Sequence, residues 1–144
     1  MKEPPVQEGG EQPQVAEEEL VALQNLQEKA VREGAFGDVY FDFNVYTLKE
    51  ESKATMTKTA EWLTTHPTVS IMIEGHCDER GTQEYNLALG ERRGASVQKY
   101  LYSLGIDLAR MQTISYGEER PADPGHDEEA WAKNRRVHFT ITKR

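Results

Sequence analysis

The sequence predicts an α+β protein, a two-layer sandwich. A mixed four-stranded sheet carries its helices on one face, in the order β-α-β-α-β-β. Three observations lead there. Between residues 38 and 142, four strand-like segments alternate with two long helical ones. Three of those strands alternate apolar and polar side chains, so one sheet face packs while the other meets water. A doubly wound parallel sheet would instead bury both faces and read as continuous apolar runs. Finally, 144 residues with 37% hydrophobic and 29% charged side chains suffice for one domain and a tail.

Residues 1–14 hold Pro4, Pro5, Gly9, Gly10 and Pro13 among acidic and amide side chains, the composition of a flexible linker. Residues 15–36 read as an amphipathic helix or stalk, with Leu20, Leu23, Ala30 and Val31 near one side and Gly34 and Gly37 as stops. Whether that helix stands free or docks is open at this level. The domain spans 37–144. Its first strand, DVYFDFN (38–44), sets Val39, Phe41 and Phe43 against Tyr40, Asp42 and Asn44. A helix over 50–65 turns Met56, Ala60 and Leu63 inward and ends at His66-Pro67. VSIMIEGH (69–76) repeats the strand alternation, and a long helix follows, ended by Gly105. MQTISYG (111–117) is a less regular strand. A loop with Pro121 and Pro124 and a helical turn over 128–133 lead into the last strand, RVHFTIT (136–142).

One stripe of the long helix runs Asn86, Gly90, Arg93, Val97, Leu101, Leu104. The later half is ordinary core spacing; the earlier half puts an amide, a glycine and a guanidinium on the same face. Those first turns project past the end of strand 69–76. The loop after that strand brings Asp78, Glu79, Arg80 and Thr82 into the same space, and the end of strand 38–44 adds Asp42, Phe43 and Asn44. A carboxylate and a guanidinium flanking one concavity suit the ammonium and carboxylate of an amino-acid head. Gly90 would keep one wall low. An Asp78–Arg93 ion pair capping the helix explains the same spacing equally well, and spacing alone leaves both open.

The formal net charge of −8 argues against a general nucleic-acid binder. No apolar run approaches the roughly 20 residues that span a bilayer, and MKEPPVQEGGEQPQ has no apolar stretch of a signal peptide. The one cysteine, Cys77, excludes an internal disulfide; like Trp62 and Trp131, it reads as a packing residue.

EGHCDERGTQEYNLALGERRGASVQKYL (74–101), VYFDFN (39–44) and KNRRVHF (133–139) resemble, in order, three blocks of the OmpA-like peptidoglycan-binding domains. The wording DERGT-x-EYN, LGERR and GHDEEAWAKNRR is most similar to the peptidoglycan-associated lipoproteins (Pal) of that family. The resemblance covers about residues 38–142. It implies a non-catalytic periplasmic domain of the Tol-Pal system that binds diaminopimelate of the peptidoglycan stem peptide and tethers the outer membrane to the cell wall. By motif position, Asp78 is the key acid and Arg93 the key base, with Asn86, Asp42, Phe43 and Asn44 lining the same pocket. Asn134, Arg135 and Arg136 match the final block, where structural ion pairing is expected at least as much as ligand contact. No cofactor is implied; the partners are peptidoglycan and TolB with other Tol proteins. Such proteins are held at the periplasmic face of the outer membrane by a lipidated N-terminal cysteine. Cys77 cannot take that part, so the expectation is that Met1 stands in place of a signal peptide and anchor cysteine. Gly94 stands where the family usually has Ala.

Two rival readings remain. A docking module whose main partner is TolB would use the acidic surface and loop 118–130. A metal-dependent hydrolase could recruit His76 and Asp78 with His126 or Asp127, although no HExxH, CxxC, GxSxG or phosphate loop is present.

Overall fold

A computed structural model of the protein describes residues 14–144; the linker read over 1–14 lies, apart from Gln14, outside them. Four helices and four strands follow in the order α1 (Gln14–Arg32), β1 (Val39–Tyr40), α2 (Glu50–Thr65), β2 (Ser70–His76), α3 (Gln83–Ser103), β3 (Met111–Gly117), α4 (Glu128–Asn134) and β4 (Arg136–Lys143). The mixed sheet has strand order β1-β4-β2-β3, with β4 antiparallel to both neighbours and β3 parallel to β2. This is the α+β sandwich expected from the alternation.

Register follows from the apolar face. Ile71 lies opposite Ile141 and Ile73 opposite Phe139, so the alternation of two strands becomes one continuous surface. Ala30, Met56, Leu63, Val97 and Leu101 cover it from α1, α2 and α3, each 0% exposed. The opposite face carries Met72, Glu74, His138 and Thr140, partly open to solvent.

The structure differs from expectation at the first strand and at Leu104, and it decides the place of the first helix, which the sequence left open. The first strand stops at Tyr40 rather than Asn44. Phe41 still donates its N–H to the Arg135 carbonyl at 2.9 Å, but Asn44 turns to φ 67°. The carbonyls of Asp42 and Val45 are both taken by Arg93 and cannot serve a ladder. Leu104, read as core, is 38% exposed because it is already the C-cap of α3. The first helix docks. Gln27 donates to the Phe139 carbonyl and accepts from the Ile141 N–H, both at 2.8 Å. These groups point away from β2, on the edge that two-residue β1 leaves uncovered, so one carboxamide substitutes for a missing strand.

Candidate functional site

β2 and α3 cross where neither has a side chain. A Cβ on Gly75 would lie 1.9 Å from the Gly90 carbonyl oxygen, and one on Gly90 would lie 2.1 Å from Ser115 Oγ. Gly90 is therefore a packing glycine. It does not line the cavity described below, which corrects its reading as a low wall for a ligand.

Past this crossing, the loop after His76 turns under the first turns of α3. The Cys77 N–H donates to the Gly117 carbonyl at 2.8 Å and its thiol to the Asn86 carbonyl at 3.2 Å. Burial pushes that thiol up to about 11, so it is a packed group and no nucleophile at neutral pH. Gly81, at φ 100°, delivers the chain to Thr82, which caps α3 by accepting from the Tyr85 N–H at 3.1 Å.

Asp78, on this loop, is 4% exposed. Burial works to raise its carboxyl, and hydrogen bonds from Arg80 outweigh that, leaving it below the ordinary carboxylate value. Those bonds come from Arg80 Nη2 to Oδ2 at 2.8 Å, Arg80 Nε to Oδ1 at 3.2 Å, and the Arg80 N–H to Oδ1 at 3.0 Å. The Arg80 guanidinium also packs on two rings, Phe43 at 3.9 Å and Trp131 at 4.1 Å to the centroids. Trp131 is fixed by its indole N–H, which donates to Glu79 at 2.9 Å. Arg135 Nη1 makes a second ion pair with Asp78 at 3.5 Å.

Arg93, on α3, is 1% exposed and does not pair with Asp78. It donates to the carbonyls of Val45 (2.9 Å), His76 (3.0 Å) and Asp42 (3.0 Å). Three of its five N–H groups are thus engaged, which leaves one on each terminal nitrogen. Asn86, 2% exposed, donates to the Arg80 carbonyl at 3.0 Å and to Glu118, so it holds the loop's shape.

Asp78 and Arg93 line one cavity of about 60 Å³, with Phe43, Asn44, Cys77, Arg80, Gly81, Tyr85, Asn86 and Leu89 completing the wall. Asn44, in its left-handed turn, accepts from the Tyr85 hydroxyl. Five of the seven residues expected at the site line it: Asp78, Arg93, Asn86, Phe43 and Asn44. Two stand outside it. The Asp42 side chain faces solvent in an ion pair with Lys49 at 2.9 Å, and only its carbonyl serves the site, through Arg93. Thr82 is occupied as the cap of α3. The residues of the final block make structural contacts: Arg135 also donates to the Phe41 carbonyl and Glu128, and Asn134 bonds the backbone of Ala122 and Asp123.

The sequence did not disclose Arg80 as the partner of Asp78, nor Tyr85 and Arg135 at this place. Trp131, read as a core anchor, stacks on Arg80 instead. These contacts join side chains up to 57 residues apart (Asp78 to Arg135) and leave no periodicity; the only signal was the density of charge and aromatics in DERGTQEY. The residues of the metal-hydrolase reading do not converge. His76 faces Glu74 at 3.3 Å, His126 pairs with Glu79 at 2.8 Å and Asp127 caps α4. Among the described residues no three His, Cys, Asp or Glu side chains are grouped to hold a metal ion.

Comparison with known proteins places these features in context. A family model described as OmpA family matches residues 40–135. A peptidoglycan-associated lipoprotein of Brucella melitensis is 47% identical over 99 residues, covering 69% of this chain and 59% of that protein. One from Pasteurella multocida is 42% identical over 116 residues, covering 81% and 73%. The chain thus spans about three fifths of the length of the first of these relatives. The crystal structure of the peptidoglycan-associated lipoprotein from Burkholderia pseudomallei superposes with a TM-score of 0.71 at 44% identity, covering 73% of this chain and 89% of that one. The C-terminal domain of Helicobacter pylori MotB, at 21% identity and a TM-score of 0.69 over 74% of this chain and 84% of that one, shares the fold.

Proposed function

The chain belongs to the OmpA family, and from that premise we propose that it binds peptidoglycan without catalysis, gripping the diaminopimelate head of a stem peptide between Asp78 and Arg93. One observation carries the reading. A buried acid and a buried base line the same cavity, and neither neutralises the other. Had they paired with each other, the site would be a closed structural ion pair. Asp78 instead receives cations from outside the pair, now Arg80 and Arg135, and accepts an ammonium in the place of one of them. The two unengaged N–H groups of Arg93 are the number a bidentate carboxylate needs.

The resemblance to peptidoglycan-associated lipoproteins supports placing this domain on the periplasmic side of the outer membrane, as a tether to the cell wall held by an N-terminal lipid. We extend the same reading to the Tol system, with TolB as a protein partner at the mouth of the cavity. A single head group held by a few charge-assisted bonds, each worth about 1.5–3 kcal/mol, gives binding of about micromolar strength or weaker once association costs are met. Many copies facing one polymer make that sufficient.

The test is calorimetric titration of a diaminopimelate-containing muropeptide into wild type, Asp78→Asn and Arg93→Lys. Each substitution keeps the approximate shape and removes the charge or the fork. Each is expected to weaken binding by about tenfold or more, the equivalent of one charge-assisted bond. Equal affinity in all three proteins would remove the site from the reading.

A further inference from the structure

The Asp78 carboxylate that is to receive the ligand's ammonium already holds a cation. Arg80 bonds both of its oxygens through the side chain, at 2.8 and 3.2 Å, and one of them again through its backbone N–H at 3.0 Å. The guanidinium is kept there by the Phe43 and Trp131 rings at 3.9 and 4.1 Å. Trp131 is in turn anchored by Glu79, whose carboxylate also pairs with His126. Arg80 itself lines the cavity of about 60 Å³ beside Asp78, so the guanidinium fills the side of that space from which a ligand's cation would reach the acid.

Resting on the peptidoglycan reading above, we propose that Arg80 is a specificity-determining residue of this site: a built-in competitor that occupies the ligand's cation position and must leave for the head group to seat. Two features make that exchange feasible. Asp78 is 4% exposed, whereas the Arg80 side chain is 32% exposed, so the guanidinium lies on the solvent side of the acid and can swing outward without disturbing the core. Glu128 lies 3.9 Å from Arg80 Nη2 and is itself 68% exposed, giving the displaced charge an acidic neighbour at the rim. Arg93 cannot play this part, being fixed by three backbone carbonyls at the base of the cavity.

The consequence is selectivity by charge type. A ligand bearing only a carboxylate cannot substitute for the guanidinium at Asp78, so Arg80 stays on the acid. A zwitterion replaces one cation with another and leaves the buried acid paired throughout, avoiding the cost of an uncompensated buried charge. Binding then trades an intramolecular ion pair for an intermolecular one, so the pair sets a penalty on every ligand.

The experiment titrates the same diaminopimelate-containing muropeptide into wild type and Arg80→Ala, followed by calorimetry. It adds Trp131 fluorescence in a Trp62→Phe background, where Trp131 is the only indole. Removing the competitor is expected to tighten binding at least about threefold, the scale of a partly exposed ion pair. Saturating ligand is expected to change Trp131 emission when Arg80 is present and to leave it nearly unchanged in Arg80→Ala. Unchanged or weaker binding by Arg80→Ala, or Trp131 emission that ignores the ligand in the Arg80-bearing protein, would overturn the proposal while leaving Asp78 and Arg93 as the site. No binding by wild type would instead reject the peptidoglycan reading, and this inference with it.

Discussion

Arg93 carries two duties that pull on substitution in different ways. Its side chain ties together the carbonyls of Asp42, Val45 and His76, which come from the segment after β1 and the end of β2. Replacing it with Ala or Met leaves the buried His76 carbonyl without this donor, at about 1–3 kcal/mol, and removes two further bonds to the part-buried carbonyls of Val45 and Asp42. Arg93→Met is therefore expected to lower unfolding stability by about 2 kcal/mol or more, measured by urea denaturation, and Arg93→Lys by less, since an ammonium can still reach one of the carbonyls. A loss under 1 kcal/mol in Arg93→Met would mean these bonds matter little to the fold. For this reason a null result with Arg93→Ala speaks to folding before it speaks to binding. At this scale the sequence was informative where a side chain broke a periodic pattern: Asn86 and Arg93 stood out on an otherwise apolar stripe. It was silent where a contact depends on two distant loops meeting, as for Arg80 on Phe43 and Trp131. Asp42 was misplaced for a related reason. Its motif position is right, but its backbone rather than its carboxylate faces the site, and a sequence pattern cannot separate the two.

At the scale of elements, α3 carries two glycines that look alike in sequence and differ in the fold. A Cβ at Gly94 would meet Thr113 and the Ile73 carbonyl at 3.6–3.8 Å, ordinary contact distances. At Gly90 it would meet the end of the Ser115 side chain at 2.1 Å, and at Gly75, on β2, the backbone of α3 at 1.9 Å. Gly94→Ala is expected to stabilise the protein by up to about 1 kcal/mol, the helix-interior preference for Ala over Gly. Gly75→Ala forces α3 away from the sheet and is expected to cost about 3 kcal/mol or more, within the range of overpacking and backbone strain. Gly90→Ala should fall between: the Ser115 hydroxyl can rotate aside, but Ser115 Cβ and the Gly75 carbonyl, both at 3.1 Å, still crowd the new methyl. Thermal denaturation of the three variants gives the order, and a stabilised Gly75→Ala would refute the close approach. Long periodic elements were legible: α2, read over 50–65, spans Glu50–Thr65, and α3 ends just before Gly105, its later half set by Val97 and Leu101. The first strand was overread because alternation in residues 38–44 persists beyond Tyr40, where Arg93 has already claimed the carbonyls a ladder would use.

For the whole molecule, strand order was the part that alternation could not supply: the three alternating strands show the same one-sided pattern whichever neighbour they pair with, and β3 shows no regular one, so nothing in the pattern distinguishes β1-β4-β2-β3 from another order. That order gathers two histidines onto the open sheet face with opposite electrostatic settings. His138 Nδ1 donates to the Asp38 carboxylate at 2.7 Å, and that bond holds its pKa above the ordinary value despite partial burial. His76, 2% exposed, is held below the ordinary value by burial, only partly offset by Glu74. The groups facing them are Glu74, Asp38 and Arg136, with Thr140 donating to Glu74. The two signs follow from linkage. For His138 the folded protein binds the proton more tightly than the unfolded chain. Its contribution is therefore complete below the unfolded value of about 6.5 and is lost as pH rises through the folded value. For His76 the unfolded chain binds the proton more tightly, so stability falls as pH drops below about 6.5 and levels off beneath the folded value. Together they place a stability maximum near pH 6–7, about where the two limbs meet. Urea denaturation from pH 5 to 8 should show both limbs, with His138→Gln flattening the alkaline side and His76→Gln the acidic side. The slopes carry the test, since either substitution also changes packing. An alkaline limb of unchanged slope in His138→Gln would dissociate the pH response from this sheet face.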